Sequence, residues 1–112
     1  MNKINQYDEK GQRHGLWEDY YDNGQLYSKG TYANGNKCGL WEYYYYNGQL
    51  NCKCTFVNDK FYGLWESYYY NGQLCGEGTH INGKQYGLWK HYNEDGQIEK
   101  QIFYSKHLYE QD

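Results

Sequence analysis

The sequence predicts an all-β protein, an elongated and twisted single-layer meander of antiparallel strands. It would be built from about four 24-residue hairpin repeats, with no helical domain. Three observations support this fold class. A word that begins Gly-Leu-Trp returns at fixed spacing, Asn-Gly pairs divide the chain at short intervals, and aromatic residues fill the segments between them. A helix fits poorly, because glycine interrupts each half-repeat of about 10–12 residues.

The repeats are visible as four copies of one word. GLWEDYYDNGQL, GLWEYYYYNGQL, GLWESYYYNGQL and the divergent GLWKHYNEDGQI begin at Gly15, Gly39, Gly63 and Gly87, a period of 24 residues without slippage. We divide this single domain into a leading half-repeat, three full repeats and a divergent capping repeat: residues 1–14, 15–38, 39–62, 63–86 and 87–112. Repeats of this kind stack on their neighbours, so stability is a sum over adjacent units.

Two turn signals recur along the chain and set the strand lengths. Hairpin loops lie within the repeated word, at Asn23-Gly24, Asn47-Gly48, Asn71-Gly72 and Asp95-Gly96. Linker turns lie before the next Gly-Leu-Trp, at Asn34-Gly35, Asn58-Asp59 and Asn82-Gly83. Asn-Gly between aromatic or apolar runs predicts a two-residue type I′ turn, in which both central residues have positive φ. Turns about every 12 residues predict eight or nine strands of about 6–8 residues.

The predicted turns also fix which residues face one another. A two-residue loop at Asn23-Gly24 places Tyr21 opposite Leu26 and Trp17 opposite Gly30. The same count gives the pairs Trp41–Cys54 and Trp65–Gly78 across hairpin loops, and Ser28–Trp41, Cys52–Trp65 and Gly76–Trp89 across linker turns. The tryptophans thus gain small neighbours, which an indole lying across strands requires.

The tryptophans are predicted to be structural and the tyrosines to form a binding surface. The core tryptophans are Trp17, Trp41, Trp65 and Trp89. Successive residues of a strand point to opposite faces, so the tyrosine runs furnish both faces of a sheet that has no second layer. A single layer cannot bury all 17 tyrosines, and exposed tyrosine gives large contact area at low entropic cost. We therefore predict that the partner-binding residues are Tyr21, Tyr43, Tyr45, Tyr69, Tyr44 and Tyr68.

The charge balance argues against several classes of partner. The net charge is −3 and there is no basic run, so neither nucleic acid nor an anionic membrane surface is an expected partner. No apolar run approaches the ~20 residues of a membrane span. The N-terminal residues lack the apolar stretch of a signal peptide, so we expect a cytoplasmic protein.

No group of residues predicts catalysis, a metal site or a cofactor. Cys52 and Cys54 would project from one face of a strand, but no second Cys pair or His pair completes a set of four ligands. We interpret them as small residues beside tryptophans and as free thiols of a reducing compartment. The four histidines have no partner at a catalytic spacing, so we do not expect an enzyme.

The word GLWEYYYYNGQL, followed by a linker such as INGKQYG, resembles the MORN-variant repeat of the YwqK-type antitoxin family. That repeat has a pattern like G-x-W-x-x-Y-Y-x-N-G-x-L. The resemblance covers about residues 11–104 and recurs along the chain. It implies an elongated, twisted β-meander without a catalytic centre, and a protein that neutralises a toxin by direct binding.

The leading hypothesis is a small non-enzymatic inhibitor of bacterial or phage origin. As an antitoxin or immunity-type protein it would bind a partner protein through a Tyr/Trp-rich sheet face. A phage-encoded inhibitor of a bacterial defence protein would have the same sequence features. A carbohydrate- or cell-wall-binding module is an alternative from another class, because ladders of aromatic residues also stack on sugars. A homodimer through unpaired edge strands is a further possibility.

Overall fold

A computed structural model describes residues 3–104 and shows one open antiparallel sheet of nine strands within them. The strands are β1 (Gln6–Tyr7), β2 (Arg13–Tyr20), β3 (Leu26–Ala33), β4 (Asn36–Tyr44), β5 (Leu50–Val57), β6 (Lys60–Tyr68), β7 (Leu74–Ile81), β8 (Lys84–Tyr92) and β9 (Ile98–Tyr104). Their order in the sheet is their order along the chain. No helix in this part of the chain is long and apolar enough to cross a membrane.

The all-β meander predicted from the repeats is confirmed. Nine consecutive strands pair as neighbours, and residues 3–104 contain no helix. The molecule measures 44 × 39 × 20 Å, as expected for one twisted layer of strands with side chains on both faces. Residues 105–112, which end the predicted capping repeat, lie outside the described residues.

The linker turns have the predicted type I′ geometry. Asn34 and Gly35 have φ of 54° and 80°, and Asn82 and Gly83 have φ of 51° and 84°. The weaker signal at Asn58-Asp59 forms the same turn with two non-glycine residues in the left-handed region. Asn and Asp tolerate this region better than other side chains, because their short polar groups bond locally to the backbone. The β3–β4, β5–β6 and β7–β8 connections are therefore all tight two-residue turns.

The hairpin loops differ from the prediction of two-residue type I′ turns. In the first loop only Gly24 has positive φ, at 88°. The Gly24 N–H donates to the Tyr21 carbonyl at 3.1 Å, and the Tyr21 N–H donates to the Gln25 carbonyl at 2.9 Å. This is the three-residue loop that ends in a left-handed glycine. The Asn23 side chain accepts the Gln25 N–H at 2.9 Å, which favours the longer loop.

The longer loop changes the register beside it, but a bulge restores the register further along. Tyr20 rather than Tyr21 pairs with Leu26, so the predicted Tyr21–Leu26 pair is wrong. The next pair is Asp19–Ser28, because β3 carries one extra residue at Tyr27. The predicted pairs Trp17–Gly30, Trp41–Cys54 and Trp65–Gly78 are therefore confirmed. The same shift recurs in every hairpin from β2–β3 to β8–β9.

The pairings predicted across the linker turns are wrong, and the cause lies in the glycine of Gly-Leu-Trp. Between the pairs Thr31–Cys38 and Lys29–Glu42, β3 has one residue and β4 has three. Gly39 has φ of 74°, so β4 takes up its two extra residues there in a bulge. Ser28 consequently faces Tyr43, Cys52 faces Ser67 and Gly76 faces His91.

Because of the bulge, one small residue contacts the tryptophans of two successive repeats. Cys54 pairs with Trp41 on one side and with Trp65 on the other. Gly30 pairs with Trp17, and its α-carbon lies directly under the Trp41 ring. Gly78 likewise pairs with Trp65 and lies under the Trp89 ring. Each small residue therefore serves two successive repeats.

The core consists of indoles lying flat on the main chain of these small residues. Trp41 is only 1% exposed, and Trp17 and Trp89 are also buried, whereas Trp65 is half-buried. The Trp41 indole N–H donates to the Thr31 carbonyl at 3.2 Å, and Trp89 donates to Thr79 in the same way at 3.0 Å. Cys54 and Phe56 complete the central cluster around Trp41. A single layer thus buries large rings without a covering sheet.

Substitution of Gly78 by alanine should destabilise the sheet strongly. A methyl group there would overlap the Trp89 ring, which would then have to move away from strand β7. We expect a loss of roughly 1–3 kcal/mol in the free energy of unfolding, the usual cost of overpacking. Urea unfolding followed by tryptophan fluorescence measures the change.

Gly76→Ala is the matched control on the same strand. A methyl group there would have its nearest neighbour, the Lys90 carbonyl oxygen, at 3.4 Å, and Gly76 has no positive φ. Equal destabilisation by Gly76→Ala and Gly78→Ala would contradict the packing of the Trp89 indole on Gly78.

Candidate functional site

Aromatic rings form a continuous row across the tryptophan-bearing side of the sheet, which we call the tryptophan face. Successive ring centroids lie 4.8–6.3 Å apart along Tyr7, Trp17, Tyr32, Trp41, Phe56, Phe61, His80, Trp89 and Tyr104. Two cations cover this row. The Arg13 guanidinium lies 4.0 Å from the Trp17 ring centroid, and the Lys37 ammonium lies 5.0 Å from that of Trp41. Trp17, Trp41 and Trp89 are therefore enclosed by their own neighbours, whereas Trp65 is only half-buried.

Three of the tyrosines predicted to bind a partner join adjacent repeats at the hairpin loops. The hydroxyl groups of Tyr21 and Tyr45 each donate to a backbone carbonyl of the next repeat at 2.6 Å, on Tyr44 and Tyr68 respectively. Tyr69 donates to the Tyr92 carbonyl at 2.5 Å. These bonds fix the three rings in orientation. Sequence reasoning did not assign this role, although the recurrence of tyrosine at one repeat position was a signal for it.

Further tyrosines pack on these rings and remain exposed. Tyr46 lies edge-on to Tyr21 with ring centroids 5.1 Å apart, and Tyr70 lies edge-on to Tyr45 at 5.2 Å. The half-buried Tyr43 stacks on Trp41, and its hydroxyl accepts a bond from Lys37 Nζ at 2.8 Å. We define the tyrosine strip as these rings near the hairpin loops: Tyr21, Tyr27, Tyr43, Tyr45, Tyr46, Tyr69 and Tyr70.

The other two predicted tyrosines, Tyr44 and Tyr68, lie on the opposite face. Their hydroxyls donate to Glu42 and Glu66, each at 2.9 Å. Burial, and then the neighbouring carboxylate, raises the pKa of each tyrosine to about 12. The structure therefore does not bring the six predicted tyrosines together. Tyr21, Tyr43, Tyr45 and Tyr69 belong to the tyrosine strip, and Tyr44 and Tyr68 do not.

The opposite face, which we call the leucine face, exposes a row of apolar side chains beside a row of charges. The apolar row comprises Leu16, Leu40, Leu64, Leu88 and Phe103, which are 41–71% exposed. The charged row runs in register as Glu18, Lys29, Glu42, Lys53, Glu66, Glu77 and Lys90. Opposite charges face one another along most of this row, which supports the strand register.

The adjacent carboxylates Glu66 and Glu77 are an exception in this row, and each is accommodated separately. Lys53 Nζ lies 3.9 Å from Glu66, which also accepts the Tyr68 hydroxyl. Glu77 accepts the Tyr92 hydroxyl at 2.5 Å and pairs in register with Lys90. The two like charges are thus each balanced on the side away from the other.

Two shallow concavities mark the two faces. One, of about 400 Å³, lies beside the tyrosine strip and is lined by Tyr45, Tyr69, Tyr70, Asn71 and Glu94. The other, of about 290 Å³, lies on the leucine face between Leu64 and Leu88, with Glu77 and Lys90 at its side. The first is built mostly from rings that hydrogen bonds and ring contacts hold in place.

The cysteines are free thiols in the structure. Cys54 is buried between Trp41 and Trp65, whereas Cys52 is half-buried and faces Tyr43 and Ser67. Interaction with the Cys54 thiol, and to a smaller extent with the Trp65 indole, lowers the pKa of Cys52. Within residues 3–104, no three His, Cys, Asp or Glu side chains are grouped to hold a metal ion.

His80 occupies the place that Tyr32 and Phe56 occupy in the preceding repeats. Its ring stacks on Phe61 with centroids 4.8 Å apart and meets the Trp89 ring edge-on at 5.0 Å. His80 is buried, and its Nδ1 atom has no hydrogen-bond partner. Burial lowers the pKa of His80 below 6.5, because the charged form would lose its water.

This open single-layer meander is a β-repeat protein, in which successive repeats share the small residues under their tryptophans and are joined by tyrosine hydroxyls. Four segments, residues 13–34, 37–58, 61–82 and 85–106, match the family described as the MORN repeat variant. These matches cover more than half of the chain, and the chain belongs to that family. No match was found among curated proteins.

Tyr45→Phe should weaken the junction between the second and third repeats. The variant keeps the ring and loses the hydrogen bond to the Tyr68 carbonyl. We expect a loss of about 1 kcal/mol in the free energy of unfolding, as is typical of one hydrogen bond. Tyr70→Phe is the control, because its ring is 58% exposed and should change stability little. An unchanged unfolding midpoint for Tyr45→Phe in urea would contradict this role.

His80 should make stability depend on pH below neutrality. Its pKa is lowered in the folded state, so the unfolded chain binds more protons as the pH falls. In the unfolded chain the pKa of His80 is about 6.5. The neutral His80 contributes fully to the free energy of unfolding above that pH, and its contribution decreases as the pH falls below it. His80→Phe restores the aromatic residue of the other repeats and should reduce this decrease. Thermal midpoints of both proteins from pH 8 to pH 5 test this, and equal slopes would contradict it.

Proposed function

We propose that this chain binds another protein and neutralises it, as an antitoxin or immunity-type inhibitor does, without catalysing a reaction. The observation that carries the proposal is the tyrosine strip. Tyr27, Tyr46 and Tyr70 are each about half exposed. The rings beneath Tyr46 and Tyr70 are those of Tyr21 and Tyr45, which hydrogen bonds fix across repeats. The strip thus offers exposed aromatic area on a rigid support.

Rigid exposed tyrosine suits a protein partner. A tyrosine ring gives a large contact area with few torsions to order, so its loss of entropy on binding is small. Aromatic residues are also enriched at the centres of protein interfaces. The edge-on packing of Tyr46 on Tyr21, and of Tyr70 on Tyr45, reduces the freedom of these rings before any partner arrives. The loss of side-chain entropy on binding is therefore smaller.

Charge favours a basic partner. The chain has a net charge of −3 and no basic run. An acidic binding protein attracts a basic partner, and the attraction raises the rate of association at low ionic strength. Nucleases are an example of proteins with basic surfaces, and the resemblance to YwqK-type antitoxins supports a toxin as partner. The free thiols suit the reducing cytoplasm in which such a pair would act.

Burial of the indoles disfavours the carbohydrate-binding alternative. A sugar stacks on an open aromatic face, but Trp41 and Trp89 are 1% and 2% exposed, and glycine lies beneath both. Arg13 also lies over Trp17. Near the hairpin loops, the exposed rings of Tyr46 and Tyr70 meet their neighbours edge-on rather than in a row of parallel platforms.

Growth rescue tests the proposal directly. Each reading frame adjacent to this one in its genome is expressed in a bacterial host, alone and together with this chain. We expect one neighbour to stop growth alone and to be tolerated with the chain, and the purified pair to co-elute in size-exclusion chromatography.

Two double variants then locate the surface. Tyr46→Ser with Tyr70→Ser removes two exposed rings of the tyrosine strip and should abolish both rescue and co-elution. Leu40→Ser with Leu64→Ser is the control, because these side chains are exposed to a similar degree on the leucine face. Circular dichroism confirms that both variants are folded. The proposal fails if no neighbour is neutralised, or if the leucine variant alone loses rescue.

A further inference from the structure

The repeats differ at one position that decides how the joining tyrosines are covered. Residues 22, 46, 70 and 94 are equivalent in the 24-residue period and are Asp22, Tyr46, Tyr70 and Glu94. Tyr46 packs on the Tyr21 ring, and Tyr70 packs on the Tyr45 ring. Glu94 occupies the place where a third ring would cover Tyr69. The tyrosine strip is therefore missing one ring at the last junction.

The space left by that missing ring is the concavity of about 400 Å³ beside the tyrosine strip. Tyr45, Tyr69 and Tyr70 supply aromatic walls, and Glu94 supplies a carboxylate. The Tyr69 hydroxyl donates to the Tyr92 carbonyl at 2.5 Å, and Tyr70 is held edge-on against Tyr45. The walls are therefore in place before a ligand enters.

The electrostatics of the concavity favour a cation. Glu94 is exposed, and the ion pairs found within residues 3–104 involve Asp19 and Glu66, not Glu94. Desolvation raises the pKa of Tyr69, and the Cys75 thiol and the negative charges of Glu99 and Glu94 raise it further. Aromatic rings bind cations at their faces, and Tyr45, Tyr69 and Tyr70 line the concavity beside this carboxylate.

We propose that this concavity receives an arginine side chain of the partner protein. The guanidinium stacks on the Tyr69 ring, in the place of the missing aromatic residue, and donates two hydrogen bonds to the Glu94 carboxylate. Arginine fits better than lysine because its planar group both stacks on a ring and matches a carboxylate with two donors. This inference rests on the proposed function, since it names the group of the partner that is recognised.

An aromatic side chain from a partner would fill the same gap less well. It would cover Tyr69, but it would also remove water from the Glu94 carboxylate without supplying a donor. Desolvation of an unpaired charge is costly, so an apolar occupant is disfavoured. A cation with a flat apolar face satisfies the rings and the carboxylate together.

Titration with Nα-acetyl-L-arginine N-methylamide tests the site on the intact chain. Tyrosine-labelled protein is followed by NMR, with the citrulline analogue as a neutral probe of the same shape. We expect saturable shifts of the ring signals of Tyr45, Tyr69 and Tyr70 with the arginine probe, and at least about fivefold weaker binding of the citrulline probe.

Three variants of one loop sharpen the test. Glu94→Gln keeps the shape of the site, removes its charge and should weaken the arginine probe about fivefold or more. Glu94→Tyr introduces the ring that the second and third repeats carry and should close the site, while the sheet stays folded by circular dichroism. Asp95→Asn makes the same change of charge on the next residue, which does not line the concavity, and should leave the affinity within about twofold.

The outcomes separate this inference from the proposed function. Equal binding of both probes, no effect of Glu94→Gln, or shifts confined to other tyrosines would overturn the arginine site, even if growth rescue succeeds through the tyrosine strip. Selective binding that Glu94→Gln weakens and Asp95→Asn does not would establish the site, even if no neighbouring gene product is neutralised.

Discussion

The packing of an indole against a residue that has almost no side chain is the constraint on which the rest of this sheet depends. One layer of strands has no second layer to cover its large rings, so burial has to come from within the layer. Gly30 and Gly78 allow the Trp41 and Trp89 rings to lie on the main chain itself. The remaining surface of each ring is then covered by side chains of the same face, and Trp41 is almost completely buried. Hydrophobic stabilisation is thereby obtained without a conventional core.

Burial within one layer determines which side chains each face still exposes to solvent. On the tryptophan face the rings enclose one another, and cations such as Arg13 lie over them. The tyrosines near the hairpin loops serve two purposes, since Tyr45 joins repeats through its hydroxyl and supports Tyr70 with its ring. A departure from the repeat, such as Glu94, therefore changes the surface without changing the sheet. The same scaffold can carry different recognition sites, as is general for repeat proteins.

The sequence predicted the fold class, the strand count and the linker turns because those follow from period and from local backbone preference. It did not predict the hairpin loops, because Asn-Gly is compatible with two loop lengths, and the Asn23 side-chain bond favours the longer one. Nor did it predict the neighbours across the linker turns. The two extra residues at Gly39-Leu40 are invisible to counting by alternation, although the recurring glycine hinted at a left-handed backbone. In the candidate site, the change to Glu94 is visible in the sequence. Which ring it leaves uncovered depends on how side chains of adjacent repeats pack in three dimensions, and the sequence alone does not give that packing.

The compensation between loop and bulge has an evolutionary meaning. Each hairpin adds one residue in its loop and absorbs one at its bulge, as Tyr27 does for β2 and β3, so no register error passes to the next hairpin. A duplicated or deleted block of DNA encoding one whole repeat would therefore lengthen or shorten the sheet and leave the remaining junctions in phase. Such a change would widen or narrow both sheet faces by one repeat.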